Sequence, residues 1–135
     1  MSFVIDASVV LAWILGEPET DLIIRARRAA DSEHLHVPAN WPLEMVNILL
    51  MAARRRRVQE RELARLLQAI TTLPVTIHVV DVDLACGAVA LLGKQHELTA
   101  YDASYLELAL RLGVPLATQD DALVRAAAAA GAALF

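Results

Sequence analysis

At 135 residues the chain suits one domain, and with 57% hydrophobic but only 4% aromatic residues it can bury a sizeable core built from Ala, Leu and Val. Asp6, Glu44 and arginines interrupt the apolar runs well short of the ~20 residues a bilayer span needs, and no basic segment precedes the first run as a signal peptide requires. The net charge of −4 argues against a nucleic-acid binder, but six of the 12 basic residues (Arg54, Arg55, Arg56, Arg57, Arg61 and Arg65) lie in one stretch beside only Glu60 and Glu62, so the local charge there is positive. The single cysteine, Cys86, excludes an internal disulfide, suits a reducing cytoplasm and reads as a small core residue.

In chain order, Phe3-Val4-Ile5 is a short β-favouring run. After Asp6 the spacing of Val9, Val10, Trp13 and Ile14 turns helical, which predicts strand, tight turn and helix ending near Gly16. Pro18 suits a first helical position and opens a second helix with Leu22, Ile23 and Ala26 on one side and Arg25, Arg27 and Arg28 opposite. Leu35-His36-Val37 is a brief strand. Pro42 opens a helix from Leu43 to about Ala53, and Glu60 to Leu73 follows, with Leu63, Leu66, Leu67 and Ile70 as its apolar stripe.

Pro74 then punctuates, and Val75 to Val80 is the clearest β segment. A helix from about Val82 to Gln95 comes next, then a strongly apolar one that carries Asp102 and ends at Gly113. Pro115 to Thr118 reads as a strand, Asp121 to Ala130 as a helix and Ala132 to Phe135 as a last short strand. Strands alternating with helices predict a parallel sheet with helices on both faces, an α/β architecture.

Four segments deliver a carboxylate at the end of an apolar run: Asp6, Glu44, Asp102 and Asp120. A helix cap accounts for any one of them, Asp102 in particular. Their number points elsewhere. In an open parallel sheet, ligands bind beyond the carboxyl ends of the strands. Asp6 and Asp120 each follow a strand, while Glu44 and Asp102 stand at helix starts, with Asn47 one turn beyond Glu44 on the same face. Four carboxylates held together repel one another, and a divalent cation removes the repulsion. Oxygen ligands without Cys or clustered His suit Mg²⁺ or Mn²⁺, and the matching chemistry is phosphodiester hydrolysis by metal-activated water.

Ile5-Asp6-Ala7-Ser8, Leu43-Glu44-Met45-Val46-Asn47, Thr99-Ala100-Tyr101-Asp102-Ala103 and Thr118-Gln119-Asp120 fall in the order found in PIN-domain proteins. The chain resembles that family over nearly its whole length, and its compact size resembles the VapC toxins. The resemblance implies a three-layer α/β/α sandwich with a mainly parallel central sheet, a Mg²⁺- or Mn²⁺-dependent endoribonuclease acting as a cytoplasmic toxin, a homodimer and a VapB-like antitoxin as partner. It makes Asp6, Glu44, Asp102 and Asp120 the acidic metal-site residues, supported by Ser8, Asn47 and Thr118. Asp120 is preferred over Asp121, which then stands in the first turn facing the helix dipole.

Arg54, Arg55, Arg56 and Arg57 fall at a helix end, where the dipole favours cations, and they can also hold a phosphate backbone or an antitoxin. Consecutive arginines cannot form one stripe. His34 and His36 alternate on a strand, while His78 and His96 stand alone. Trp13 and Trp41 read as packing residues. Two other functions compete. One is phosphoryl transfer through an aspartyl-phosphate at Asp6, although Ser8 stands where a second acid belongs and Lys94, the only lysine, does not follow a strand. The other is a non-catalytic RNA- or antitoxin-binding module whose acids merely cap helices.

Overall fold

The apolar run at the start of the chain forms strand β1 (Ser2–Ile5), and the other strands of the computed structural model, which describes residues 1–135, lie parallel to it. β2 (His34–Pro38) flanks β1 on one side and β4 (Leu116–Ala117) on the other, while β3 (Val75–His78) extends the sheet beyond β2. Phe3, Val4 and Ile5 are all fully buried, as a parallel strand covered on both faces requires.

Parallel neighbours need crossover connections, and helices supply them. α1 (Ala7–Leu15) and α2 (Asp21–Ala29) link β1 to β2, and α3 (Trp41–Arg54) and α4 (Glu60–Thr71) link β2 to β3. These four pack on one another. The return to β4 runs through α5 (Val82–Leu84), a π-helical turn (Ala85–Val89), α6 (Ala90–His96) and α7 (Ala100–Leu112), and α8 (Asp121–Ala130) follows β4. α7 lies against β1, β2 and β4 and also against α6 and α8. The return crosses the sheet in the opposite direction, so right-handed connections place this second helical layer on the other face. Every residue of α7 from Ala103 to Ala109 is buried, which explains why that segment is rich in Ala and Leu and why its polar members Ser104 and Glu107 are bonded.

Several details differ from the sequence reading. Pro18 lies ahead of α2, whose N-cap is Thr20, with the hydroxyl accepting from the Ile23 amide at 3.3 Å. β3 stops at His78, and Thr76 and Ile77 are exposed, as fits an edge strand. The helix predicted from Val82 to Gln95 contains a widened turn where Ala85, Gly87 and Ala88 offer little side-chain packing to hold α geometry. Cys86 sits on that turn exposed, outside the core. Ala132 to Phe135 makes only a single bridge, Leu116 to Leu134, and is held by Phe135 stacking on Phe3 at 4.2 Å and by Arg25 above the Phe135 ring. His78 is not isolated: its Nε2 lies 2.9 Å from His36 Nδ1 across β2 and β3. Trp41 is 2% exposed, as a packing residue should be.

The turn between α6 and α7 decides where α7 begins. The Leu98 amide donates to the Gly93 carbonyl at 3.0 Å, and a Cβ on Gly93 would stand 3.2 Å from the Leu98 carbonyl oxygen. Gly-to-Ala substitution inside a helix ordinarily gains about 1 kcal/mol. At Gly93 the methyl must displace backbone, so Gly93→Ala is expected to lower stability by about 1 kcal/mol, measured by urea denaturation; an increase would show that the turn yields freely.

Candidate active site

The carboxyl ends of β1 and β4, which are adjacent strands, deliver the first two acids. Asp6 follows β1 and caps α1, accepting from the Val9 amide at 3.2 Å. It is 5% exposed. Its Oδ1 also accepts from Ser8 Oγ at 2.6 Å, and its Oδ2 accepts from the Thr118 hydroxyl. The same two hydroxyls accept in turn from the next loop: Ser8 Oγ from the Gln119 amide at 3.3 Å and Thr118 Oγ1 from the Asp120 amide at 3.0 Å. Ser8 and Thr118 therefore tie the loop after β4 to the Asp6 carboxylate, and that loop fixes Asp120. Asp120 is the N-cap of α8, its Oδ1 accepting from the Leu123 amide at 2.8 Å, and Asp121 stands in the first turn.

Glu44 and Asp102 arrive from helix starts, but neither is a cap. The N-cap of α7 is Thr99, whose hydroxyl accepts from the Asp102 amide at 3.1 Å, which leaves the Asp102 carboxylate free of the capping role the sequence offered it. α7 is positioned by its turn from α6 and its packing on the sheet, since it follows a helix and not a strand. Glu44, in the first turn of α3, accepts at Oε1 from Asn40 Nδ2 and from the Tyr105 hydroxyl at 3.3 Å. Asn40 is itself oriented by Ser104, whose hydroxyl lies 3.0 Å from Asn40 Oδ1.

Asn40, Ser104 and Tyr105 escape sequence reasoning. Tyr105 sits inside an apolar run, and only its place one turn beyond Asp102 hints at a polar task. Asn47, the residue the sequence pairs with Glu44, is exposed and does not bond to it; both line a cleft with Asn40, Leu43 and Tyr101.

The electrostatics link all four acids. Burial pushes the Asp6 carboxyl above its ordinary value, against its hydrogen bonds, and the Asp102 charge adds to the rise. Burial also lifts Glu44, with Asp102 and Asp6 adding to it, and lifts Asp102, with Asp120 adding to it. The Tyr105 hydroxyl is pushed far up by burial and by the charges of Glu44, Asp6 and Asp102, so it stays protonated and donates to Glu44. None of the four acids is ion-paired; the salt bridges in the structure use Glu19, Glu62 and Glu107.

Desolvated carboxylates that repel one another and lack a cationic neighbour suit a hard cation in chemistry, because every donor is oxygen. No three of the acids close round one point as a ready cage. Mg²⁺ does not need one, since it keeps several waters and takes one or two carboxylates directly.

The chain matches the family model described as PIN domain over residues 3–129. Over 121 residues it is 35% identical to ribonuclease VapC9 of Mycobacterium tuberculosis, spanning 87% of this chain and 84% of that protein. It is 28% identical over 120 residues to ribonuclease VapC3 of Pyrobaculum aerophilum, spanning 89% and 90%. Among solved structures, PAE2754 from Pyrobaculum aerophilum superposes with a TM-score of 0.67 at 26% identity over 93% of this chain and 84% of that one. Mycobacterium tuberculosis VapC20, described as a sarcin-ricin loop cleaving toxin, shares the fold with a TM-score of 0.65 at 19% identity over 98% of each chain.

Each lifted carboxyl binds its proton more tightly in the folded chain than in the unfolded one. Its contribution to stability is complete below the ordinary carboxylate range and is lost as pH rises through the folded value. Asp102→Asn, which removes one of these charges and no cap, is therefore expected to stabilise the metal-free protein at pH 7, with the gain shrinking as pH falls into the ordinary carboxylate range. Urea denaturation in EDTA at pH 7 and in that lower range measures it; destabilisation at pH 7 would mean that the cluster does not repel.

Proposed function

This chain belongs to the PIN-domain family, in its VapC-type branch, and from that premise we propose that it is a Mg²⁺- or Mn²⁺-dependent endoribonuclease, the toxin of a cytoplasmic toxin-antitoxin pair with a VapB-like antitoxin. One observation carries the reading: burial raises Asp6, Glu44 and Asp102, the Asp102 charge raises the first two further, the Asp120 charge raises Asp102, and no cation pairs with any of them. These four acids are the proposed holders of the ion, with Ser8 and Thr118 fixing Asp6 and Asp120, and Asn47 at the rim of the cleft.

A divalent ion in such a site supplies an activated water near neutral pH and stabilises charge on phosphorus and the leaving oxygen. The chain's own residues orient the site. Tyr105 and Asn40 direct protons at Glu44 Oε1, leaving Oε2 without a protein donor and open to a ligand or a water. Ser8 and Thr118 hold Asp6 from both oxygens, so it is fixed before any ligand arrives. Hydrolysis adds water across one phosphorus–oxygen bond of the RNA backbone, and no side-chain nucleophile takes part.

A non-catalytic module that binds RNA or an antitoxin is favoured by one observation, the capping of α1 and α8 by Asp6 and Asp120. Capping leaves Glu44 and Asp102 unexplained. A true ion site stabilises the fold by mass action, by about 2.7 kcal/mol at 100 times the dissociation constant, whereas caps alone give no Mg²⁺-dependent shift in calorimetry. The homodimer implied by the family resemblance has support in Ile77, Val79, Val82 and Leu91, apolar side chains left 52 to 76% exposed on β3 and the return segment.

Cleavage of single-stranded RNA is expected to stop in EDTA, to return with Mg²⁺ or Mn²⁺, and to fall at least about 100-fold in Asp6→Asn and in Asp102→Asn with circular dichroism unchanged. Activity that survives in both variants removes the proposal. Val82→Asp is expected to halve the mass found by light scattering; a parent protein that is already monomeric refutes the dimer.

A further inference from the structure

The arginine run and the cleft beside Glu44 are joined along one helix. The cleft lined by Asn40, Leu43, Glu44, Asn47 and Tyr101 shares Asn47 with a second cavity, formed by Asn47, Ile48, Met51, Ala52, Arg55 and Arg57. The two cavities meet at Asn47 and lie in succession along α3 from Glu44 towards its C-terminus, about 16 Å from Glu44 to Arg55 at ~1.5 Å per residue.

The arginines form no single stripe, as consecutive positions imply, yet two of them share a cavity. Arg56 adopts a left-handed conformation with φ of 57°, and the amides of Arg56 and Arg57 turn back to the carbonyls of Ala53 and Ala52 at 3.0 and 2.9 Å. That reversal brings Arg55 and Arg57 to the same cavity. Arg54 is directed at the Met51 sulfur, 3.7 Å away. No carboxylate pairs with any of the four. At the other end of the groove Tyr101 is 62% exposed, an aromatic ring at the lip of the cleft, next in sequence to Asp102.

We propose that this groove is a track for single-stranded RNA, in which Tyr101 stacks the base next to the cleaved phosphate and Arg55 and Arg57 hold phosphates a few nucleotides away. The assignment rests on the nuclease reading above for what is cut, but the groove makes its own demands. Two unpaired guanidinium groups on a half-apolar floor attract a polyanion. An exposed aromatic ring offers a stacking surface to an unpaired base and none to the closed stack of a duplex. The acids at the near end repel phosphate unless a cation is bound, so the arginines supply attraction where the acidic end does not. Tyr101, Arg55 and Arg57 are thus positioning residues for the substrate.

The experiment uses the full chain with Mg²⁺ and a set of labelled single-stranded oligonucleotides lengthened stepwise on either side of the cleavage position. In the parent, KM is expected to fall about tenfold as the strand grows on one side only, and the fall to disappear in R55Q/R57Q. That double variant is expected to raise KM for long strands about tenfold, leave kcat within a factor of about two, and reduce the slope of log affinity against log salt by about 1.4, the value for two phosphates of a single strand. Tyr101→Ala is expected to raise KM for all lengths and Tyr101→Phe to restore it. Arg28→Gln, near the end of α2 and lining neither cavity, serves as the charge control and changes neither KM nor slope.

KM and salt slope unchanged in R55Q/R57Q would overturn the track, and so would R55Q/R57Q releasing a co-purified antitoxin while binding RNA as before. If the parent cleaves nothing, the nuclease reading fails on its own. The same variants then report on the track through fluorescence anisotropy of a single-stranded oligonucleotide with Mg²⁺: retained binding with the parent slope again overturns it.

Discussion

The structure turns on one constraint, the placing of buried negative charge where no positive side chain answers it. Asp6 is held by hydroxyls and an amide, Glu44 by an amide and a phenol, and no Lys or Arg comes near enough to pair with either. Neutral donors stabilise an ionised carboxylate less than a guanidinium does, which is why burial still lifts both groups. A core of this size could have closed over the sheet edge with apolar side chains at lower cost. That it does not leaves an acidic edge without a compensating cation, the feature that the proposed divalent ion answers.

The topology makes that placement possible. β1 and β4 are neighbours in the sheet but lie at opposite ends of the sequence, so Asp6 and Thr118 meet only because the chain runs out to β3 and returns. The return segment brings α7 across the sheet, and with it Asp102, Ser104 and Tyr105, the last two reaching Asn40 and Glu44 on the start of α3. Each half of the site is thus completed by a helix from the opposite layer. The site cannot form before both crossovers are in place, and loss of the α6 to α7 turn disturbs it without touching an acid.

The strands, the alternation and the four acids are legible in the sequence because they rest on local signals: apolar runs ended by a carboxylate, and helical spacing after it. Ser8 and Thr118 are legible for the same reason, being hydroxyls next to such an end. Where the reading failed, a competing local choice or a long-range contact prevailed. Thr20 outcompeted Pro18 for the start of α2, while Thr99 took the cap that was the alternative reading of Asp102. The last four residues have strand-like composition but only Leu116 to pair with, so they settle as one bridge and a stacked ring. Tyr105 gains its importance from Glu44 sixty-one positions away, and Asn40, though it bonds Glu44 one turn on, is oriented by Ser104 sixty-four positions away; a single sequence carries no trace of those distant partners.

The hydrogen bonds also rank the acids by what they have left to offer. Both oxygens of Asp6 accept protein donors, one oxygen of Asp120 does, and Glu44 accepts twice at the same oxygen. A carboxylate oxygen can serve a donor and a cation together, so Asp6 is not excluded, but its orientation is already decided. The less committed oxygens lie on Glu44, which lines the cleft with Tyr101, and on Asp102 and Asp120. On this ordering Asp6 is the fixed base of the site and the other three are its adjustable rim. On the proposed track along α3 a phosphate would meet these acids first, so the proposed ion and substrate would assemble together, each reducing the repulsion that the other faces alone.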